Sequence, residues 1–127
     1  MQSRPQPVAT DSVTVDRTAL DNALEALMLR YKSVRRRSVD LCKPLQIEDF
    51  GVQPMADASP PKWHLAHITW FFETFLLRKY AVGYSPYHPA FEHLFNSYYN
   101  GVGDPFPRLR RGSLSRPTVA EIYTYRD

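Results

Sequence analysis

Apolar residues recur in the first part of the chain at alternating steps of four and three. Because an α-helix turns once in about 3.6 residues, this spacing places them in one stripe along a single helix. Asp16 precedes the stripe as a suitable N-cap, and Pro44 cannot continue a helix. We therefore predict a long first helix from about Asp16 to about Cys42. The residues of the stripe are Leu20, Leu24, Leu27, Tyr31, Val34, Ser38 and Leu41.

A second helix is predicted after Ser59, a capping residue that is followed by Pro60 in the first helical position. It should run to about Tyr80 and stop near Gly83. The run WHLAHITWFFETFLLRKYAV is apolar around most of its circumference, so this helix should be buried on more than one side. Residues 84–114 show no sustained period and predict a long irregular connector, whose apolar residues form either a short helix or a covering loop.

A third helix-start signal lies close to the last residue of the sequence. Thr118 and Glu121 form a capping-box pair, an apolar stripe begins after them, and the sequence stops at Asp127. We therefore expect an all-α chain with two long helices, a connector and the start of a third helix, cut short from a longer protein. Residues 1–13 are expected to be a disordered tail, and residues 14–127 a partial helical domain.

Composition narrows the class of protein. The 127 residues are 43% hydrophobic and 23% charged, as in one ordinary globular domain. The single cysteine, Cys42, excludes an internal disulfide and a cysteine-rich zinc site. No apolar run is long enough for a membrane span and no secretory signal is recognisable, so we expect a cytoplasmic protein without a membrane partner. The net charge of +3 comes with no nucleic-acid-binding motif, so nucleic acid is not an expected partner.

Two histidines on the second predicted helix are the best candidates for chemistry. His64 and His67 lie three residues apart and are neighbours on the helix surface, and His67 shares a face with Trp63 and Trp70. A neutral imidazole inside a helical bundle is a suitable ligand for zinc, iron, nickel or copper. The same spacing is more often that of a core histidine with a hydrogen-bonding neighbour, so spacing alone leaves both interpretations open.

The other polar residues are weaker candidates for a catalytic or metal-binding role. Glu73 is predicted to lie on the outer face of the helix as a partner for Arg78 or Lys79. His88 and His93 fall in the irregular connector, where nothing marks them as ligands. The sequence contains no Gly-rich phosphate loop, no Ser-His-Asp order and no paired carboxylates.

Several longer blocks occur in a distinctive order: LCKPLQIEDFGVQPMADASPPKWH, SPPKWHLAHITWFFETFLL, LFNSYYNGVG and RGSLSRPTVAEIYTYR. Together they resemble the N-terminal part of the hercynine oxygenases of ergothioneine biosynthesis, from about residue 17 to the last residue. The resemblance implies a four-helix bundle of the DinB type, of which this chain is the N-terminal portion. In that family the bundle is joined to a C-terminal domain like the formylglycine-generating enzyme, which is missing here.

The resemblance also implies an iron-dependent reaction. Family members hold Fe(II) on three histidines and use O2 to join the thiol of cysteine or γ-glutamylcysteine to the imidazole of hercynine, giving a sulfoxide. His67, the second histidine of the Trp-x-Leu-Ala-His block, matches one iron ligand. The other two belong to a later His-x-x-x-His helix, which this sequence does not contain. Arg108 and Arg111 match in spacing the arginines that hold the carboxylate of the thiol substrate. The isolated chain is therefore expected to be inactive.

Two other interpretations stay open. The chain could be a stand-alone DinB-like module that binds a metal or a protein partner without catalysis, because two helices and a helix stub expose a broad apolar face. A DinB-type metal-dependent thiol transferase shares the bundle but not the LSRPTV and LFNSYY blocks. The residues that select between cysteine and γ-glutamylcysteine are mostly absent from the sequence.

Overall fold

The computed structural model describes residues 15–127, in which every regular element is helical and no strand occurs. The all-α prediction is therefore confirmed for these residues, while the tail predicted at residues 1–13 lies outside them. The described residues divide into two compact units, residues 15–36 and Arg37–Asp127. The α-helical segments are α1 (Arg17–Cys42), α2 (Pro61–Phe72), α3 (Arg78–Tyr80), α4 (Phe91–Leu94) and α5 (Val119–Arg126). A π-helical segment spans Glu73–Leu77, and 3-10 helices span Ile47–Gly51 and Arg108–Ser113.

The first helix begins and ends where the sequence predicts. Asp16 Oδ1 accepts the backbone N–H groups of Thr18 and Ala19 at 3.1 and 3.3 Å, which is the geometry of an N-cap. The helix ends at Cys42, two residues before Pro44. No residue of α1 is buried. Its apolar stripe is thus formed as predicted, but five of its seven residues are exposed, and only Tyr31 and Ser38 are half-buried.

The second helix starts one residue later than predicted. Pro60 is the N-cap and Pro61 the first helical residue, positions where a missing N–H costs no helical hydrogen bond. The prediction of Ser59 as the cap is therefore wrong. Its hydroxyl oxygen instead accepts a hydrogen bond from Nη1 of Arg111 at 3.0 Å, and so binds a residue far away in the sequence.

The second helix continues beyond α2 without a break. The π-helical segment and α3 carry the helical backbone to Tyr80, and Gly83 follows with a φ of 76°. Both the end point and the glycine agree with the prediction, because a left-handed residue after a helix is best tolerated as glycine. The π-helical turn was not predicted. Such a turn adds a residue to the helical repeat and so changes which side chains face the core.

Aromatic side chains dominate the core of the second unit. In this core α2 packs against α5 and against the 3-10 helix Ile47–Gly51. The buried residues of α2 lie on one broad side, and all its other residues except His64 are half-buried, so this helix is enclosed on more than one side, as predicted. The buried core consists of Phe50, Trp63, Leu65, Ala66, Trp70, Phe91, Phe95, Ile122 and Tyr125.

The end of the chain forms the predicted helix start. Thr118 Oγ1 accepts the N–H of Glu121 at 3.2 Å, and the Glu121 carboxylate accepts the N–H of Thr118 at 2.6 Å. This reciprocal pair is a capping box, and it starts α5, which buries Ile122 and Tyr125. Within the residues that the structure describes, no helix is both long and apolar enough to cross a membrane.

Candidate functional site

The imidazole of His67 is stacked against two indole rings. Its ring centroid lies 4.8 Å from that of Trp63 with 10° between the planes, and 5.5 Å from that of Trp70 with 21° between the planes. The two tryptophans are four residues before and three residues after His67, which is why the helix brings them to its face. The predicted shared face is confirmed, and the plane of the imidazole is restrained by its neighbours.

A backbone hydrogen bond determines which nitrogen of His67 is available. Nδ1 lies 2.7 Å from the carbonyl oxygen of Phe95. Because a carbonyl oxygen only accepts, Nδ1 carries the proton, and the neutral ring has its lone pair on Nε2. Histidines that bind metals commonly donate their other N–H to a carbonyl or carboxylate in this way.

The surroundings of His67 also favour the neutral ring, which is the form that binds a metal. Burial lowers the pKa of the His67 imidazole below its ordinary value. The hydrogen bond to Phe95 opposes this lowering, and the cationic Arg111 adds to it.

The corner of the chain after α4 supplies the carbonyl groups that orient this site. The indole N–H of Trp63 donates to the carbonyl oxygen of Leu94 at 2.9 Å, next to the Phe95 carbonyl that His67 uses. The last carbonyls of a helix lack partners within the helix, and here side chains of α2 satisfy them. The orientation of His67 therefore depends on where this corner lies.

Asn96 holds that corner in place, and its role was missed in the sequence. The fully buried side chain accepts the N–H of Tyr99 at 2.8 Å and donates to the carbonyl oxygens of Tyr99 and Gly103 at 3.0 and 3.2 Å. Its backbone carbonyl accepts the N–H of Phe106 at 3.0 Å. The available signal was an asparagine within the aromatic run of the LFNSYY block, where an amide needs hydrogen-bond partners.

Arg111 lies inside the protein, with 3% of its surface exposed. Its Nη1 donates to Ser59 Oγ at 3.0 Å, and Nη2 donates to the carbonyl oxygens of Ser97 and Phe106 at 3.2 and 3.1 Å. The guanidinium carbon lies 3.6 Å from the ring centroid of Trp63. Burial lowers the pKa of Arg111 to about 10, so the group stays charged at neutral pH. Among the described residues, Nε of Arg111 has no hydrogen-bond partner.

Unlike Arg111, Arg108 lies on the surface and is accessible to solvent. Its side chain is 55% exposed, and its nearest acidic neighbour is Asp57, at 3.9 Å between Nη1 and Oδ1. The backbone carbonyl of Arg108 accepts a hydrogen bond from Gln53 at 2.8 Å. The guanidinium of Arg108 can therefore reach a dissolved ligand. Carboxylate binding by Arg108 and Arg111 stays a prediction.

Of the other histidines, only His64 neighbours His67. His64 is an exposed residue, and its ring meets that of Trp63 edge-on at 5.7 Å. Partial burial of the ring, followed by the charges of His67 and Arg111, lowers the pKa of the His64 imidazole. His93 pairs with the carbonyl oxygen of Asp104 at 2.7 Å, and His88 stacks on Phe91. Within residues 15–127, no group of three or more His, Cys, Asp or Glu residues could hold a metal ion.

Glu73 is buried, at 4% exposure, so its predicted place on the outer face of the helix is wrong. Its carboxylate accepts hydrogen bonds from the hydroxyls of Tyr84, at 2.9 Å, and Tyr125, and from the N–H of Tyr87 at 2.6 Å. It begins the π-helical segment, and these three donors from distant segments satisfy it inside the protein. Arg78, one of its predicted partners, pairs instead with Glu92 at 3.2 Å.

Comparison with known proteins addresses the family of the chain. A sequence model of the DinB superfamily matches residues 30–127, a range that includes His67, Arg108 and Arg111. A comparison with curated proteins gives no match. The DinB-like part of the resemblance is thereby confirmed, and the narrower assignment to the hercynine oxygenases stays a prediction.

Proposed function

Because the chain belongs to the DinB superfamily, we propose that it is the DinB-like part of a hercynine oxygenase and supplies the His67 ligand of a non-haem iron centre. The observation that carries the proposal is the hydrogen bond from His67 Nδ1–H to the Phe95 carbonyl, which leaves Nε2 for a metal. An imidazole nitrogen suits iron. The proposal takes the two remaining histidines from outside residues 15–127, which hold no complete ligand group.

The proposed reaction joins a cysteine-type thiol to the imidazole ring of hercynine. Bound Fe(II) would supply the activation of dioxygen. The S–H bond and one imidazole C–H bond break, and a C–S bond and an S–O bond form. The second oxygen atom leaves as water with both hydrogens, so dioxygen takes up the electrons that the two substrates lose. The contribution of this chain is to hold the His67 ring in one plane and one tautomer.

Arg108 is the better placed of the two predicted carboxylate ligands. Its exposed guanidinium offers the planar fork that suits a carboxylate, whereas both Nη atoms of Arg111 already donate to protein oxygens. We expect Arg108→Met to raise the KM for the thiol far more than the KM for hercynine. Equal effects on the two KM values would contradict this assignment.

The proposal is tested by sulfoxide formation, followed by mass spectrometry, in the protein expressed from its complete reading frame. The assay contains Fe(II), O2, hercynine and either cysteine or γ-glutamylcysteine. In His67→Asn the side-chain amide can still donate to Phe95, but no nitrogen stands in place of Nε2. We expect the product to fall to background in this variant and to stay unchanged in the matched control His64→Asn, because His64 is an exposed residue and its replacement leaves the hydrogen bond from His67 to Phe95 in place. Unchanged turnover in His67→Asn, or no sulfoxide from the wild-type protein, would contradict the proposal.

A second candidate function is a stand-alone DinB-like module that binds a metal or a protein partner without catalysis. The observation that favours it is the apolar stripe of α1, where Leu20, Leu24 and Leu27 are 48%, 51% and 63% exposed. A module of this kind would yield no sulfoxide in the assay. If the stripe binds a second copy of the chain, the molar mass by sedimentation equilibrium would exceed that of one chain, and Leu24→Glu would reduce it to one chain.

A further inference from the structure

We infer that Arg111 is a positioning residue for His67, which acts through the indole ring of Trp63 and the corner after α4. The inference rests on the proposed function, because it concerns the same candidate metal ligand. It assigns to Arg111 a role that needs no contact with substrate.

The first observation is what the guanidinium joins. Ser59 lies just before α2, whereas Ser97 and Phe106 lie at either end of the loop that Asn96 stabilises. One side chain therefore links the start of the helix that carries His67 to the loop that carries its hydrogen-bond acceptor. Hydrogen bonds from a charged donor are stronger than those between neutral groups. These three bonds therefore stabilise the link between the helix and the loop more than three neutral bonds would.

The second observation is the stack on Trp63. The guanidinium carbon lies 3.6 Å from the centroid of its ring, well within the range of a cation–π contact. The imidazole of His67 stacks on the same indole at 4.8 Å and nearly parallel. Both contacts are made by the indole of Trp63, so one side chain touches the cation and the candidate ligand.

The third observation is that three touching side chains bond to neighbouring carbonyl groups. Trp63 donates to Leu94 at 2.9 Å, His67 to Phe95 at 2.7 Å, and Arg111 to Ser97 at 3.2 Å. If Arg111 is removed, the corner loses one anchor and Trp63 loses one of its two stacking partners. The Phe95 carbonyl and the indole both set the plane of the His67 ring. Both changes therefore alter the direction in which Nε2 points.

Two other roles for Arg111 predict different results. An arginine that only stabilises the fold changes the free energy of unfolding but leaves the His67 ring as it is. An arginine that only binds substrate changes the KM for the thiol but leaves the metal affinity as it is. A positioning residue changes both the Nδ1–H signal of His67 and the metal affinity.

The experiment compares Arg111→Met, Arg111→Lys and the matched control Arg110→Met, at the exposed arginine next in the chain, in the protein expressed from its complete reading frame. The Nδ1–H signal of His67 is recorded by NMR without metal, and the Kd for Co2+ is measured by competition with a chelator. In Arg111→Met we expect the signal to shift or broaden and the Kd to rise about tenfold, the lower end of the range for residues that orient a ligand. Arg111→Lys keeps a cation over Trp63 but loses the planar fork, so its Kd should lie in between. Arg110→Met should match the wild type in both measurements.

The other outcomes would contradict either the inference about Arg111 or the proposed function. An unchanged Nδ1–H signal and an unchanged Kd in Arg111→Met would overturn the inference, and so would a change confined to the KM for the thiol. If Arg111→Met does not fold, Arg111→Lys and Ser59→Ala make the same test with milder changes. If His67→Asn loses its affinity for Co2+ while the Arg111 variants keep theirs, the inference about Arg111 is contradicted and the proposed function is not. No Co2+ affinity in the wild type contradicts the proposed function, whereas the NMR arm still tests the position of the ring.

Discussion

The two units of the chain differ in how their sequence relates to their packing. Over its described residues 15–36, the first unit is one regular helix with a clear apolar stripe and no buried residue. The second unit, Arg37–Asp127, contains short helices, turns and prolines, and every buried core residue that the structure describes. Periodic apolar residues therefore predicted a helix correctly in the first unit, but they did not predict burial.

In the second unit, polar side chains hold the irregular backbone in place. Asn96, Arg111 and Glu73 are 0%, 3% and 4% exposed, and each bonds to segments that have no regular structure. A buried polar group is costly unless it finds partners, so these residues stabilise only the backbone arrangement that satisfies them. A proline-rich connector can be well packed when such groups connect it.

The largest expected effect compares one leucine from each unit. Leu65 is 3% exposed in the second unit, whereas Leu24 is 51% exposed in the first. Leu65→Ala leaves a cavity and should lower the free energy of unfolding by about 2–5 kcal/mol. Leu24→Ala should change it by no more than about 0.5 kcal/mol. Urea titrations followed by tryptophan fluorescence measure both, and equal losses would remove the contrast between the units.

The next effect tests whether a polar side chain holds the connector. Asn96→Ala removes the three hydrogen bonds that this fully buried side chain makes to Tyr99 and Gly103, and at about 1 kcal/mol for each bond should lower the free energy of unfolding by about 2–3 kcal/mol. The matched control is Asn100→Ala, four residues along and exposed, which should have little effect. Similar urea midpoints for the two variants would contradict the role given to Asn96.

A smaller effect is expected at the buried carboxylate. Tyr125→Phe removes the hydroxyl that donates to Glu73, while Tyr84 and the N–H of Tyr87 still donate to it. The free energy of unfolding should fall by about 1–2 kcal/mol. Tyr80→Phe, at a tyrosine that is 68% exposed, is the control and should unfold like the wild type.

The smallest effect is a loss of stability in alkali. Burial, the hydrogen bond to Glu73 and the charge of Glu73 raise the pKa of Tyr84 to about 12, and the same causes raise the pKa of Tyr125. The unfolded chain releases these protons near pH 10, about the ordinary pKa of tyrosine, before the folded chain does. The free energy of unfolding should therefore be unaffected by these groups below about pH 10 and fall as the pH rises towards 12. In the Tyr84→Phe, Tyr125→Phe double variant the free energy of unfolding should fall less steeply with pH. An equally steep fall would show that these two tyrosines do not cause it.

Local signals in the sequence predicted the local features correctly. The Asp16 cap, the capping box at Thr118 and Glu121, and the helix end at Tyr80 each depend on residues within one helical turn. The aromatic face of His67 follows from helical spacing in the same way.

The features that the sequence did not predict depend on residues far apart in the chain. Ser59 bonds to Arg111, 52 positions away, and Glu73 to Tyr125, also 52 positions away. No periodicity connects such pairs, because the backbone between them must first take its tertiary path. For the same reason the carbonyl partner of His67, which decides its tautomer, was visible only in the structure.

We propose that His67 Nε2 binds the metal, and iron loading measures this binding without relying on turnover. The protein expressed from its complete reading frame is incubated anaerobically with Fe(II), passed through a desalting column and analysed for iron. We expect the wild type and His64→Asn to retain stoichiometric iron and His67→Asn to retain none. Equal iron in His67→Asn and the wild type, or a loss of iron that His64→Asn alone produces, would contradict it.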